Sequence, residues 1–381
     1  MDFNFTEEQQ AILETARDFA DKELKPIVAE YDKKEEFPWP IVKKLSELGF
    51  LGMIIPPELG GSGAGNVALA IAIMEVSRVC ASTGVTLSVH NSLLSNPLLK
   101  FGSEEQKKKY LPKLASGEWI GAYALSESGA GSDAANIKTT AVKKGDRYIL
   151  NGQKVWITNA GVADVIITFA VTDKDARRGH NITAFILEKN FKGFNVGVHE
   201  KKLGIRASDT VELSFEDLEV PEENLLGEHN QGFKIAMDTL DGGRIGIASQ
   251  ACGIAMGCLE ESAKYAKERA QFGKAIGEFQ PIQWKIAEMA TELDAAKLLT
   301  LRAAHLKDLK KPHTLEASMA KLFSSQTCNK AAWNAVQIFG GYGYTKDYPV
   351  ERFYRDAKIT EIYEGTTEIQ HIVISRAFLK D

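Results

Sequence analysis

Trp119-Ile120-Gly121-Ala122-Tyr123-Ala124-Leu125 marks the point where the sequence changes period. Before it, apolar residues recur every three or four positions. After it, they alternate or run continuously over four to eight residues bounded by turn formers. The stretch itself carries no charge and reads as a strand. Working outward from it gives helices on one side, strands on the other, and then helices again.

Toward the N-terminus, Thr6-Glu7-Glu8-Gln9 has the form of a capping box, followed by Ile12, Ala16, Phe19, Ala20 and Leu24 at helical spacing. Pro38 and Pro40 open a second helix that carries Val42, Leu45 and Leu48 and stops at Gly49. Pro56 to Gly65 is a loop, after which Asn66 is positioned to cap a helix with Val67, Leu69, Ala70, Ile73 and Met74 on its apolar face. A further helix is expected from Thr83 to Leu99, and Ser103-Glu104-Glu105-Gln106 is a second capping box.

Toward the C-terminus, strands are expected at 139–142, 148–150, 165–171, 182–187, 194–198 and 211–215. Gly145-Asp146 marks one turn, and Asn151-Gly152 carries the strongest two-residue hairpin signal. From about Gly232 the helical period returns. Long helices are expected over 232–270, 281–309 and from Thr314 to Phe339. A last helix carries Ile369, Ile372, Val373, Ile374, Ala377 and Leu379, with Thr366 or Thr367 as its N-cap. The sequence therefore predicts an α+β chain: an N-terminal helical domain (1–120), a central antiparallel β-barrel or sandwich domain (121–230) and a C-terminal four-helix bundle (231–381).

Composition narrows the function classes. The 381 residues are 44% hydrophobic and 25% charged, with a formal net charge of −5, which argues against a nucleic-acid surface. Cys80, Cys252, Cys258 and Cys328 form no C-x-x-C and no zinc spacing, and the seven histidines have no ligand pattern, so no metal site is expected. The thiols read as reduced and buried, in a cytoplasmic protein. The first residues, Met1 to Thr6, lack a basic or Arg-rich leader, and no apolar run approaches a membrane span.

Glu364 stands out in Ile359-Thr360-Glu361-Ile362-Tyr363-Glu364-Gly365-Thr366-Thr367-Glu368. It lies on a short turn before a helix N-terminus, where a carboxylate can complement the helix dipole or serve as a positioned general base. Gly129-Ala130-Gly131-Ser132-Asp133-Ala134 matches the loose dinucleotide pattern, but a strand follows it, not the helix that pattern requires. It reads as a tight turn that can also offer backbone N–H groups to a polar ligand. Trp156-Ile157-Thr158-Asn159 can pack on a flat ring or sit in a core. Arg269-Ala270-Gln271-Phe272-Gly273 can be a C-cap or a ligand contact. Asp241-Gly242-Gly243-Arg244 places two glycines inside a helical pattern, at about 1 kcal/mol each against alanine, which points to a close approach.

Taken together, Tyr123 to Asp133, Trp156 to Asn159, Arg269 to Gly273, Gln337-Ile338-Phe339-Gly340-Gly341-Tyr342-Gly343 and Ile362 to Thr366 resemble the acyl-CoA dehydrogenase family over essentially the whole chain. Leu240 to Ala248 and Lys202-Leu203-Gly204-Ile205-Arg206 are similar to its short-chain, butyryl-CoA branch. The resemblance implies FAD, a homotetramer built as a dimer of dimers, and electron transfer to an electron-transferring flavoprotein. It implies FAD contacts from Tyr123, Ala124, Leu125, Ser126, Gly131, Ser132, Trp156, Ile157, Thr158, Asn159, Arg269, Phe272, Gln280, Gln337, Ile338, Gly340, Gly341, Thr366, Thr367 and Glu368. It implies acyl-CoA contacts from Ser132, Asp241, Gly242, Gly243, Arg244, Tyr363 and Gly365.

The implied reaction is α,β-dehydrogenation of a short-chain acyl-CoA to the trans-2-enoyl-CoA. Glu364 would take the α-proton and FAD the β-hydride. In other branches the base occupies the position of Gly243, which here has no carboxylate. An arginine near Gly84 would mark a dicarboxylyl substrate, and Gly84 supplies none. The Ser88 to Ser92 turn is expected to form part of the acyl wall. Branched or medium-chain specificity, or a flavin oxidase on the same fold, are the alternatives.

Overall fold

Capping residues set the first helices. In this computed structural model, which describes residues 4–379, α1 (Glu7–Phe19) starts at Thr6, whose Oγ1 accepts from Gln9 N at 3.2 Å while Gln9 Oε1 accepts from Thr6 N at 3.1 Å. Met1 to Phe3, part of the N-terminal leader reading, and Lys380 to Asp381 lie outside the described residues. Next come α2 (Val28–Lys34) and α3 (Trp39–Glu47), the latter followed by Gly49 at φ +75°. Then follow α4 (Gly65–Val79), α5 (Ala81–Ser88), α6 (Asn96–Phe101) and α7 (Glu104–Ala115).

Two expectations change here. The single helix expected over 83–99 is three pieces, because Val89–Ser95 winds as a π-helix between α5 and α6. Asn66 does not cap α4. Asp308, from the far end of the chain, accepts from Asn66 N at 2.6 Å and from Val67 N at 3.0 Å. A full negative charge satisfies two free N–H groups that the Asn66 side chain was expected to serve.

The strands are β1 (Gly121–Ala124), β2 (Thr140–Lys144), β3 (Arg147–Thr158), β4 (Val165–Val171), β5 (Ile182–Glu188), β6 (Phe194–His199), β7 (Thr210–Pro221) and β8 (Leu225–Leu226). They form one open eight-stranded sheet in the order β6-β7-β3-β2-β4-β5-β8, with β1 on β4. The sheet is mixed, not purely antiparallel. β1 pairs parallel with β4 from Gly121↔Val165 to Ala124↔Thr168, and β2 then takes the same edge, parallel, at Thr140↔Val171. The β2–β3 hairpin reverses the chain once and the β3–β4 connection reverses it again, so β4 runs in the direction of β1 and β2.

The hairpin turn is Gly145-Asp146, with Lys144 opposite Arg147 and Gly145 at φ +63°. Asn151-Gly152 is not a turn. It lies inside β3 at a register shift against β7, where a Cβ on Gly152 would press into the Thr139 backbone. The glycine serves a bulge and a close approach, which the dipeptide alone does not distinguish from a hairpin.

The bundle comprises α8 (Gly232–Glu268), α9 (Gln280–Asp308), α10 (Thr314–Phe339) and α12 (Thr367–Leu379), with α11 (Val350–Ile359) before the last. A two-strand hairpin, β9 (Ala270–Gln271) and β10 (Lys274–Ala275), joins α8 to α9. α10 packs on α8, α9 and α12, and α8 also packs on α4. Thr314 begins α10 without capping it; its hydroxyl donates to Asp241. One apolar cluster runs from Val85 and Leu94 through Ile167 and Phe169 to Ile247, Ala296 and Phe353, so helices, sheet and bundle share a core. Among the described residues no helix is long and apolar enough to cross a membrane.

Candidate active site

Glu364 is held by backbone strain and close packing. Its φ is +51° and that of Gly365 is +96°, so two successive residues are left-handed. For a non-glycine residue that conformation has a cost and marks a site fixed by its surroundings. Gln370 Nε2, from the first turn of α12, donates to Gly365 O at 2.8 Å and to Glu364 O at 3.4 Å. Thr366 caps α12, with Ile369 N donating to its Oγ1 at 3.4 Å.

The carboxylate projects onto α8 at Gly243. A Cβ there would overlap Glu364 Oε2, so the glycine is the space in which the carboxylate sits. The same Cβ would lie 2.7 Å from Leu93 Cδ2. One turn on, a Cβ at Gly246 would overlap Ser88 Oγ. The π-helical segment and the end of α5 therefore face α8 beside the carboxylate. π-turns of this kind recur at functional sites.

Burial controls the electrostatics. Glu364 as a residue is half-buried, but its Oε2 is out of solvent and has no hydrogen-bond partner. Burial pushes its carboxyl up to about 8, against the pull of Lys321, Arg244 and Lys307. Lys321 is fully buried and is itself pushed down to about 8 by burial. Arg244 is held by Asp241 Oδ1 at 2.6 Å and Ser318 Oγ at 3.3 Å, while its Nε has no partner. The phenol of Tyr123 is raised well above its ordinary value, first by burial and then by the charge of Glu364, which places the end of β1 beside the carboxylate. Tyr363 donates its hydroxyl to Gln250, which lies two turns beyond Gly243 on α8 and also donates to Ala81 O at 2.8 Å.

The second part of the site is the gap between β1 and β2. After Ala124 the chain leaves the edge of β4, and it returns to that edge at Thr140. Glu127 closes the intervening loop. Its carboxylate accepts from Lys138 N at 2.5 Å, Thr139 N at 3.1 Å, Thr139 Oγ1 at 2.6 Å and Lys154 Nζ at 2.8 Å. Lys154 is fully buried and also donates to Leu125 O at 3.2 Å. Cβ atoms on Gly129 and Gly131 would meet nothing, so the loop tip faces open space. Trp156, at φ +59° and 58% exposed, presents an indole outward from β3. Asn159, at φ +67°, is buried with Oδ1 unpartnered. An open loop tip, an exposed indole and an orphaned buried acceptor suit a flat, hydrogen-bonding ring system.

Arg269, Phe272, Gln280 and the Gln337–Gly341 turn gather elsewhere, around the β9–β10 hairpin. The Arg269 guanidinium lies 5.6 Å from the Tyr342 ring centre, and Phe272 meets Phe279 edge-on at 6.2 Å. No hydrogen bond or ring contact joins this group to the Tyr123–Asn159 group among the described residues. Gly84 faces Ser77 of α4, where a Cβ would overlap the Ser77 hydroxyl. Lys321, Lys154 and Gln250 were not anticipated. Their signal is a polar residue on a face that otherwise carries small or apolar ones, as Lys321 between Ala317, Ala320 and Ser324.

Comparison with known proteins covers the whole chain. Family models described as acyl-CoA dehydrogenase N-terminal, middle and C-terminal domain match residues 6–118, 122–218 and 230–379. A short-chain specific acyl-CoA dehydrogenase of Clostridium acetobutylicum is 52% identical over 98% of this chain and 99% of its own. A chain from a structural study of the electron transferring flavoprotein of Acidaminococcus fermentans is 52% identical with a TM-score of 0.99, and butyryl-CoA dehydrogenase from Megasphaera elsdenii is 47% identical with a TM-score of 0.98. Both are covered completely, as is this chain.

Proposed function

Since this chain belongs to the acyl-CoA dehydrogenase family, we propose that it dehydrogenates short-chain acyl-CoA thioesters to trans-2-enoyl-CoA with Glu364 as the base. The observation that carries the residue assignment is Glu364 Oε2, a buried carboxylate oxygen without a partner on a strained turn. An oxygen of this kind is free to take a proton, and a carboxyl pushed up to about 8 is basic enough to take one from a weakly acidic α-carbon.

The α C–H bond breaks, a new O–H bond forms on Glu364, and the electron pair moves onto the thioester carbonyl. The backbone N–H of Glu364, fixed by its left-handed turn, is available to that developing oxyanion. Leu93, Ser88 and Gly243 bound the space in which the α-carbon must lie. Gln250 and Tyr363, hydrogen-bonded to each other, close it along α8. That polar floor supports a preference for short acyl chains.

The cofactor is FAD, which supplies the acceptor for the β-hydrogen and its electron pair when bound. Leu125, Ser126, Gly131, Ser132, Trp156, Thr158 and Asn159 suit its ring and ribityl chain. Arg269, Phe272, Gln280 and Gln337 to Gly341 are proposed to serve its pyrophosphate and adenosine in a neighbouring copy within a homotetramer, because they gather on the surface away from the first group. Thr366 to Glu368 complete that set, and Ser132, Asp241, Gly242, Arg244 and Gly365 are assigned to the CoA chain. Electrons leave to an electron-transferring flavoprotein, and a cytoplasmic location belongs to the same proposal.

The test is an anaerobic titration of the flavin-loaded protein with butyryl-CoA, repeated with the Glu364→Gln variant. The native protein should lose its flavin colour. The variant should keep FAD, bind butyryl-CoA and lose about 10²–10⁴ in turnover, the usual contribution of a general base. Near-native turnover in that variant would place the base elsewhere.

A further inference from the structure

A buried cation stands behind the Glu364 turn. Lys321 projects from the middle of α10, fully enclosed, and its Nζ donates to Gly365 O at 2.8 Å. That is its one hydrogen bond among the described residues, although an ammonium has three N–H groups. The same carbonyl accepts from Gln370 Nε2. Among the described residues no ion pair links Lys321 to a carboxylate. Yet Glu364 is the largest charge acting on it, ahead of Arg244, Glu361 and Glu368.

A buried ammonium with this little compensation is expensive, since desolvation of an isolated ion costs several kcal/mol. The structure nevertheless keeps it beside a carboxylate and tethered one residue away. A contact ion pair would lock Glu364 as a charged, weakly basic group. No cation at all would push the carboxyl still further above its value of about 8. A cation held off by the Gly365 carbonyl does neither.

We propose that Lys321 is a positioning residue for the base, fixing the Glu364–Gly365 turn through the Gly365 carbonyl and supplying the charge that sets the basicity of Glu364. This rests on the assignment of Glu364 as the base. The charged groups facing that carboxylate from other elements are Arg244 on α8, itself engaged by Asp241, Lys307 on α9 and Lys321 on α10. The phenols of Tyr123 on β1 and Tyr363 on its own turn also face it. Lys321 is the one of the three cations bonded to the turn itself.

The sign follows from the charge. Lys321 favours the ionised carboxylate, so removing it raises the pH at which Glu364 becomes a base. The experiment is the pH profile of kcat/KM for butyryl-CoA, which reports the free enzyme, in holoenzyme carrying Lys321→Met, Lys321→Arg or Glu364→Gln. Lys321→Met should move the acid limb upward by about one pH unit or more, with most of the rate recovered at high pH. Lys321→Arg keeps the charge and should hold the limb near its native place even if kcat falls.

An unmoved limb in Lys321→Met overturns the proposal, as does a uniform loss that high pH does not recover. If Lys321→Met does not retain FAD, Lys321→Arg decides alone: a limb displaced as far as a unit, or no folded holoenzyme, overturns the proposal. Glu364→Gln separates the two levels. If it retains turnover, the base assignment has failed. If it is inactive while the Lys321→Met limb stays in place, only the role of Lys321 has failed.

Discussion

Glu364 couples stability to pH in the sense opposite to a paired surface carboxylate. Its folded value of about 8 lies above the ordinary 4.5. Below about 4.5 it is protonated in both states and carries no penalty. Between these values the folded protein holds a proton that the unfolded chain gives up, so stability falls as pH rises, and above about 8 the full cost remains. Glu364→Gln should therefore be more stable than the native protein from neutral pH upward, by roughly 3–5 kcal/mol, and equal it below pH 4.5. Calorimetry over that range checks it; equal melting at pH 8 would mean the carboxylate is better compensated than its surroundings indicate. This residue was legible in the sequence because its neighbours form a motif. Lys321 was not, because nothing in a string of letters says that a lysine on a long helix is enclosed.

At the scale of the element, the β1–β2 gap depends on two buried charges. Lys154→Met leaves Glu127 buried with its backbone donors but no counter-ion, which should cost about 3–5 kcal/mol. FAD retention should fall with it, since Leu125 O loses its partner. The double variant Lys154→Met/Glu127→Gln should regain part of the stability, and denaturant unfolding of all three forms measures the coupling. If the single variant is as stable as the native protein, the pair does not hold the loop.

The floor of the site gives a second prediction at this scale. Gln250→Ala removes the partner of Tyr363 and opens space two turns below Gly243, so the best acyl chain should lengthen. Each extra methylene is worth at most about 1–3 kcal/mol. Comparing kcat/KM from C4 to C16 reads this, and an unchanged optimum would place the end of the pocket elsewhere. The order of elements was readable because periodicity records which face is buried. The Asn151-Gly152 bulge and the parallel seating of β1 were not, because both depend on which strand lies alongside.

At the scale of the whole molecule, apolar surface collects around the β9–β10 hairpin. Phe272 is 95% exposed at φ +53°, and Tyr344 is 90% exposed. A contiguous apolar patch of this kind marks an interaction surface. Arg269→Ala removes the guanidinium stacked over Tyr342. On the proposed assembly it should weaken FAD retention and tetramer stability together, because a ligand bound by the assembled form stabilises it. Light scattering and flavin absorbance on one sample test this, and a fully flavinated monomer would contradict it.

The carboxylate of Asp308 has a consequence of its own. It ends α9 yet holds the first turn of α4, more than two hundred residues earlier in the chain. Gln250 bonding to Ala81 O and Arg352 to Val79 O tie the same two layers at the other end of α4. Stitched at both ends in this way, α4 should open only together with the bundle, and amide exchange at Asn66 and Val67 should slow to the pace of the bundle, not that of a loop end.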